Sequence, residues 1–213
     1  MTSPYQSINP RVLPQAGKRA LRLANRLCSG LDRYAGAETD DHVSPLFIVG
    51  LPRSGTTLIY ELIVQSFDVS YFPPIYSYTY DLPNITTRLT RRFTRNPSAK
   101  YTSRYGRIPG LFSPAENYNF WKKWFPEHPV LGHHLPSALI DNEIIANANK
   151  TLGSITQIAG KQFAFKNVYF TLAIGSLLKT FTNARVILVR RNLDSIAASV
   201  YRRRNELHNK RLW

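Results

Sequence analysis

Between Gly50 and Thr57 the chain reads Gly-Leu-Pro-Arg-Ser-Gly-Thr-Thr, a run dense in groups that bind anions. Two glycines bracket it, Arg53 brings a guanidinium, and Ser54, Thr56 and Thr57 bring hydroxyls. The apolar Leu46–Val49 leads in and an apolar stretch from Leu58 leads out, so the run reads as a tight loop joining a strand to a helix. Loop and helix-start N–H groups then point into one small volume, where the helix dipole adds about half a positive charge. A phosphate or sulfate group is the natural occupant. The bland alternative is a turn that holds no ligand, but a plain turn has no need of Arg, Ser and two Thr together.

The spacing of Gly50 and Gly55 fits the opening of the nucleotide loop G-x-x-x-x-G-K-[ST]. Thr56 stands where the lysine should be. That lysine reaches the β- and γ-phosphates, so its absence counts against ATP or GTP and leaves a P-loop kinase or NTPase as the lesser alternative. The cation sits inside the loop instead, at Arg53.

The elements that would hold this loop can be read along the chain. Residues 16–33 have the pattern of a basic amphipathic helix, with Ala20, Ala24, Leu27 and Leu31 on one face and Lys18, Arg22 and Arg26 on another. The first expectation is a helix packed on the main domain through its apolar face. The second is a helix for a membrane surface or a partner. After a polar linker come a strand over Leu46–Gly50 and a helix from Thr56 to about Ser66, which contains Glu61 as a surface or site residue. Phe72–Pro83, rich in Pro and Tyr, reads as an ordered loop. Arg88–Arg107 is basic without acid, either solvated or facing an acidic acceptor. Ser113-Pro-Ala-Glu116 looks like a capping box opening a helix through Trp121 and Trp124. A helix over 138–158 should turn Ile140, Ile144, Ile145 and Ala148 inward. Then follow a strand over Lys161–Lys166, a helix from about Phe170 to Phe181, a buried strand over Arg185–Arg190, and a helix from Asn192 or Asp194 through Arg204. Strands and helices alternating in this order predict an α/β domain with a parallel sheet, whose ligands lie at the carboxyl ends of the strands. Gly50 and Arg191 both fall at such ends.

Bulk composition sets the outer bounds. The chain has 213 residues, 43% of them apolar, and a formal charge of +15. That suits one domain with a helical annex and attracts polyanions or anionic membranes without naming one. Zinc-finger spacing and RNP-like aromatics are absent, so no specific nucleic acid is expected. The single Cys28 excludes an intramolecular disulfide and fits a reducing compartment. A cytoplasmic protein is the expectation. The first 31 residues, which lack Asp and Glu, also have the composition of an organelle transit peptide.

Pro52-Arg-Ser-Gly-Thr-Thr57 resembles the 5′-phosphosulfate loop of sulfotransferases, which use 3′-phosphoadenosine 5′-phosphosulfate (PAPS). Arg185-Val-Ile-Leu-Val-Arg-Arg-Asn-Leu-Asp-Ser-Ile-Ala-Ala-Ser-Val200 resembles the 3′-phosphate motif of the same family, with Arg191 leaving the strand and Ser199 two helical turns on. The resemblance implies a three-layer P-loop-like α/β fold over 45–213, with a helical insert at about 84–158 and residues 1–44 as a basic helix and linker. It implies PAPS as donor co-substrate, bound by Arg53, Ser54, Gly55, Thr56, Thr57, Arg191 and Ser199, with no metal. Lys166 matches a Lys often found in such relatives; it either completes the anion pocket or is a plain strand-end Lys. The implied reaction is sulfuryl transfer to a hydroxyl or amine, with Arg53 stabilising the leaving phosphate.

Two departures qualify the resemblance. Relatives place a catalytic Glu beyond the loop, where this chain reads Val69-Ser-Tyr-Phe-Pro-Pro-Ile-Tyr76. The base that takes the acceptor proton must come from elsewhere. Glu116 is the first choice, since Ser-Pro-x-Glu elements recur in similar proteins; His133, His134, His128 and Asp81 follow. Relatives also continue past the point matching Trp213, so the chain reads as a fragment or a reduced form, and a weak or inactive PAPS- or PAP-binding protein is the main alternative. The acceptor, whether carbohydrate, lipid or phenol, is not specified by any motif, and an anionic membrane surface is a further candidate partner.

Overall fold

The structure is a computed structural model that describes residues 14–38, 43–94, 108, 110–127, 130 and 132–208. Its centre is strand β1, Leu46–Gly50, whose last four residues are buried. A run of consecutive apolar residues is what a strand covered on both faces requires. Strands β2, Ala164–Lys166, and β3, Arg185–Val189, flank β1 in the order β2-β1-β3, and both pairings are parallel. Leu46 pairs with Ala164 on one side and Arg185 on the other, which brings Gly50, Lys166 and Val189 to the same carboxyl edge.

Side chains alternate across the sheet. Ile48 and Ala164 face helix α2, Thr56–Ser66, and share a cluster with Tyr60, Val64 and Tyr71. Phe47 and Val49 face the opposite way, into a larger core that is mostly aromatic. There Phe47 packs on Phe165 at 5.5 Å between ring centres, and Trp121 meets Phe165 edge-on at 4.8 Å. Helix α5, Asn142–Ala159, closes that side with Ala148, Leu152 and Ile155. The layers are therefore α2, the sheet, and the insert with its aromatic core. The α/β fold with a central parallel sheet agrees with the sequence reading.

Five expectations need correction. The Ser113–Glu116 capping box does not form. Ser113 Oγ donates to the carbonyls of Ile108 and Gly110, and the only helix here is the single turn Tyr118–Trp121, α4. Asn117 explains this. It is buried, its φ is 48°, and its side chain donates to the carbonyls of Phe72 and Pro73 while accepting from Ser77 Oγ. A left-handed residue pinned to another loop ends any helix begun before it.

The strand over Arg185–Arg190 is not buried as its composition predicts. β3 lies outside β1, and Leu188 is exposed. The helix expected over about 170–181 divides into a 3-10 turn, Val168–Leu172, and helix α6, Ile174–Thr180. The helix expected from 138 starts at Asn142, because Asp141 caps it by accepting from Ile144 N at 2.8 Å.

The N-terminal helix departs most. Helix α1, Gln15–Cys28, and the 3-10 turn Ser29–Ala35 are attached through polar groups. Asn25 donates to Asp81 and accepts from its backbone N–H, while Asp32 accepts from the N–H groups of Asn84 and Ile85 at the start of helix α3, Pro83–Thr90. Leu27 and Leu31, expected inward, are exposed.

Candidate functional site

At the end of β1 the backbone turns sharply. Gly50 has φ 153°, and a Cβ there would lie 2.6 Å from the carbonyl oxygen of Val189 and 2.9 Å from Ser54 Oγ. Only glycine fits. Gly55 has open space around it but a φ of 103°, which α2 uses as its N-terminal boundary. The first bond of α2 runs from Ile59 N to the Gly55 carbonyl, so the N–H groups ahead of it lie outside the helix's own ladder. Ser54, Thr56 and Thr57 are all buried around that turn. Ser54 Oγ is enclosed and has no hydrogen-bond partner. Thr171 secures the floor: its hydroxyl accepts from Gly50 N at 2.9 Å and lies 3.1 Å from the Gly50 carbonyl oxygen.

Arg53 has φ 71°, a left-handed conformation that costs an L-residue about 1–2 kcal/mol. Two residues from the far end of the chain brace it. Arg53 Nε donates to Ser199 Oγ at 3.0 Å, and the Arg191 guanidinium donates to the Arg53 carbonyl at 3.1 Å. Arg191 stands just past β3, and Ser199 lies on helix α7, Leu193–His208. Asn192 sets the direction of α7 by accepting from Ser195 N. Ile196, one turn before Ser199, is buried and holds that face of α7 inward. Arg53, Arg191 and Ser199 are thus brought into one cluster.

The β2 side of the same edge is built differently. Lys166 ends β2, is 4% exposed, and forms an ion pair with Glu116, whose side chain is 33% exposed. Beyond it lies a narrow cleft bordered by Tyr118, Trp121, His133, Asn167 and Tyr169 among others. Tyr118 OH and His133 Nδ1 are 3.3 Å apart, and the His133 ring lies 3.7 Å from that of Tyr169. Burial first, then the charge of Glu127, pushes the Tyr118 hydroxyl up to about 12, so it is a neutral partner for His133. Trp121 Nε1 and Asn167 Nδ2 are buried without hydrogen-bond partners.

The remaining candidates divide. His134 is exposed, and His128 lies outside the described residues. Asp81 is committed to Asn25 and to Lys123, at 2.6 Å, and so serves the attachment of α1. Glu61 is 3% exposed, makes no hydrogen bond or ion pair among the described residues, and has its carboxyl raised above its ordinary 4.5 by burial. It sits four residues after Thr57 on the buried side of α2. Thr171, Tyr118, Asn167 and Tyr169 were not singled out by any sequence motif. Among the described residues, no three His, Cys, Asp or Glu side chains gather as a metal site requires.

A family model described as the sulfotransferase family matches residues 45–211. Among solved structures, the chain is similar to sulfotransferase STF9 from Mycobacterium avium, with 18% identity and a TM-score of 0.53 over 93% of this chain and 58% of that one. It is also similar to sulfotransferase STF1 from Mycobacterium tuberculosis H37Rv, with 16% identity and a TM-score of 0.42 over 88% of this chain and 55% of that one. The chain therefore spans just over half the length of these solved structures. The likeness to STF9 is one of fold. A comparison with curated proteins gives no match.

Proposed function

The chain belongs to the sulfotransferase family, and on that premise we propose that it binds PAPS at the Gly50–Thr57 loop and transfers the sulfuryl group to a hydroxyl or amine. One observation carries this reading: an enclosed, partnerless Ser54 hydroxyl at a helix N-terminus, beside an Arg53 braced by Arg191 and Ser199. An orphaned donor next to a guanidinium suits an oxyanion, and the second guanidinium suits a second phosphate. Bound there, PAPS supplies an activated sulfur whose bond to the bridging phosphate oxygen breaks as the acceptor oxygen or nitrogen attaches.

The chain's own groups have three tasks. Arg53 and the N–H groups ahead of α2 neutralise charge on the departing phosphate. Arg191 and Ser199 hold the 3′-phosphate. A base takes the acceptor proton, for which Glu116 and His133 stand at the β2 side of the edge. The pairing of Glu116 with Lys166 favours one second reading, binding of PAPS or PAP without turnover.

The test is calorimetric titration with PAP, the nucleotide product, with ATP as control, followed by assay of PAPS turnover on mixed phenol, sugar and lipid acceptors. Tight PAP binding that Arg53→Ala and Arg191→Ala abolish supports the donor site. Preference for ATP would move the chain to the kinase class. Binding without any turnover would select the second reading.

A further inference from the structure

Helix α1 divides into three sectors at 100° per residue. Gly17, Leu21, Ala24, Asn25 and Cys28 lie toward the domain, and the fully buried member of that set is the polar Asn25. Arg19, Arg22 and Arg26 form a second row, exposed along its whole length. Ala16, Ala20, Leu23 and Leu27 form a third, also exposed, which Leu31 and Tyr34 continue beyond the helix. Leu23 is 57% exposed, Leu27 73%, Leu31 57% and Tyr34 73%. An amphipathic helix normally buries its apolar stripe against its own domain. Here Asn25 and Asp32 make the attachment, and the stripe is turned outward.

We infer that this stripe and its arginine row dock the protein on an anionic lipid surface, with α1 lying flat at the headgroup level. Charge complementarity selects the occupant. No acidic residue occurs in α1, and the one that follows in the 3-10 turn, Asp32, is buried in bonds to Asn84 and Ile85. A helix with a leucine row beside an arginine row gains from both the acyl boundary and acidic headgroups. Tyr34, whose hydroxyl accepts from Arg33, has the apolar body and wet tip found at membrane interfaces. Arg88 of α3 donates to the Ala35 carbonyl at the end of the 3-10 turn, which keeps a further cation beside Tyr34. This inference stands on α1 and the 3-10 turn after it and does not rest on the donor-site reading.

The experiment is co-sedimentation of the full chain with vesicles of phosphatidylcholine alone, or with about one third phosphatidylserine. Two variants go beside it: Leu23→Ser with Leu27→Ser, and Arg22→Glu with Arg26→Glu. All four side chains are exposed, and an unchanged circular dichroism melt confirms that each variant folds. The expected result is about tenfold or stronger binding to the anionic vesicles, weakened by about 0.5 M salt and lost in both variants. Absence of binding to anionic vesicles overturns the inference. So does undiminished binding by the leucine variant, which would reduce the effect to general attraction for polyanions. A concentration-dependent dimer that only the leucine variant dissolves, with no vesicle binding, would assign the stripe to a second copy instead.

Discussion

The two sides of the sheet's carboxyl edge are assembled by different means. On the β1–β3 side, a strained backbone turn comes first: Gly50 leaves no room for a Cβ and Arg53 is held in a left-handed turn, which the side chains of Ser199 and Arg191 then brace. On the β2 side, side chains from separate segments converge, Glu116 on Lys166 and His133 between Tyr118 and Tyr169. A group that must meet the same oxyanion every time suits a rigid loop. On the proposed function the β2 side would receive the acceptor, and side chains there can change identity without rebuilding the sheet.

The largest effect expected from breaking this contrast is on turnover. Arg53→Ala should lower it by about 10²–10³-fold, as loss of an oxyanion donor does. His133→Asn should cost less, about 10-fold to 100-fold, and should alter the pH profile rather than PAP affinity. Equal losses with equal effects on PAP binding would erase the distinction between the two sides.

A smaller effect is expected at the ion pair. Lys166→Met should destabilise the fold by about 1–3 kcal/mol in urea melts, discounted from a fully buried pair because Glu116 is 33% exposed. In the double variant with Glu116→Gln, the cycle should return a coupling of at least about 0.5 kcal/mol. No coupling would release both residues from a structural role on the β2 side.

The smallest effect concerns Glu61. Burial raises its folded-state pKa above 4.5, so the fold favours its protonated form. Its handicap is absent below its ordinary pKa and grows as pH rises through the raised value. Glu61→Met should therefore stabilise the chain by about 1 kcal/mol near pH 8 and by little near pH 4. Equal gains at both would remove ionisation as the cause.

The same contrast explains what the sequence could and could not reveal. Leu46–Gly50 and Thr56–Ser66 form the elements expected of them, because a buried strand, a tight turn and a helix start each leave a local signature. Arg53, Arg191 and Ser199 were picked out by resemblance to family motifs, and the fold brings the three together through hydrogen bonds. The Glu116–Lys166 pair joins residues fifty apart, and nothing near either one announces the other. Tyr118, Asn167 and Tyr169 resemble ordinary aromatic-core sequence until the fold sets them around one cleft. The capping pattern at Ser113–Glu116 misled because Asn117 is bound to Phe72 and Pro73, a tertiary claim stronger than local propensity. α1 misled because periodicity locates an apolar face without saying whether anything covers it.

The central position of β1 has a consequence for biosynthesis. Leu46 finds its partners at Ala164 and Arg185, so β1 leaves the ribosome long before either neighbour exists. Its apolar run, with the aromatic segment that follows, must wait unpaired until β2 and β3 have been made. Folding of such a sheet waits on pairings distant in sequence, and loop closure makes it slow. The nascent chain is accordingly the form of this protein most in need of a chaperone, and its yield on expression should respond to elongation rate more than to the stability of the finished fold.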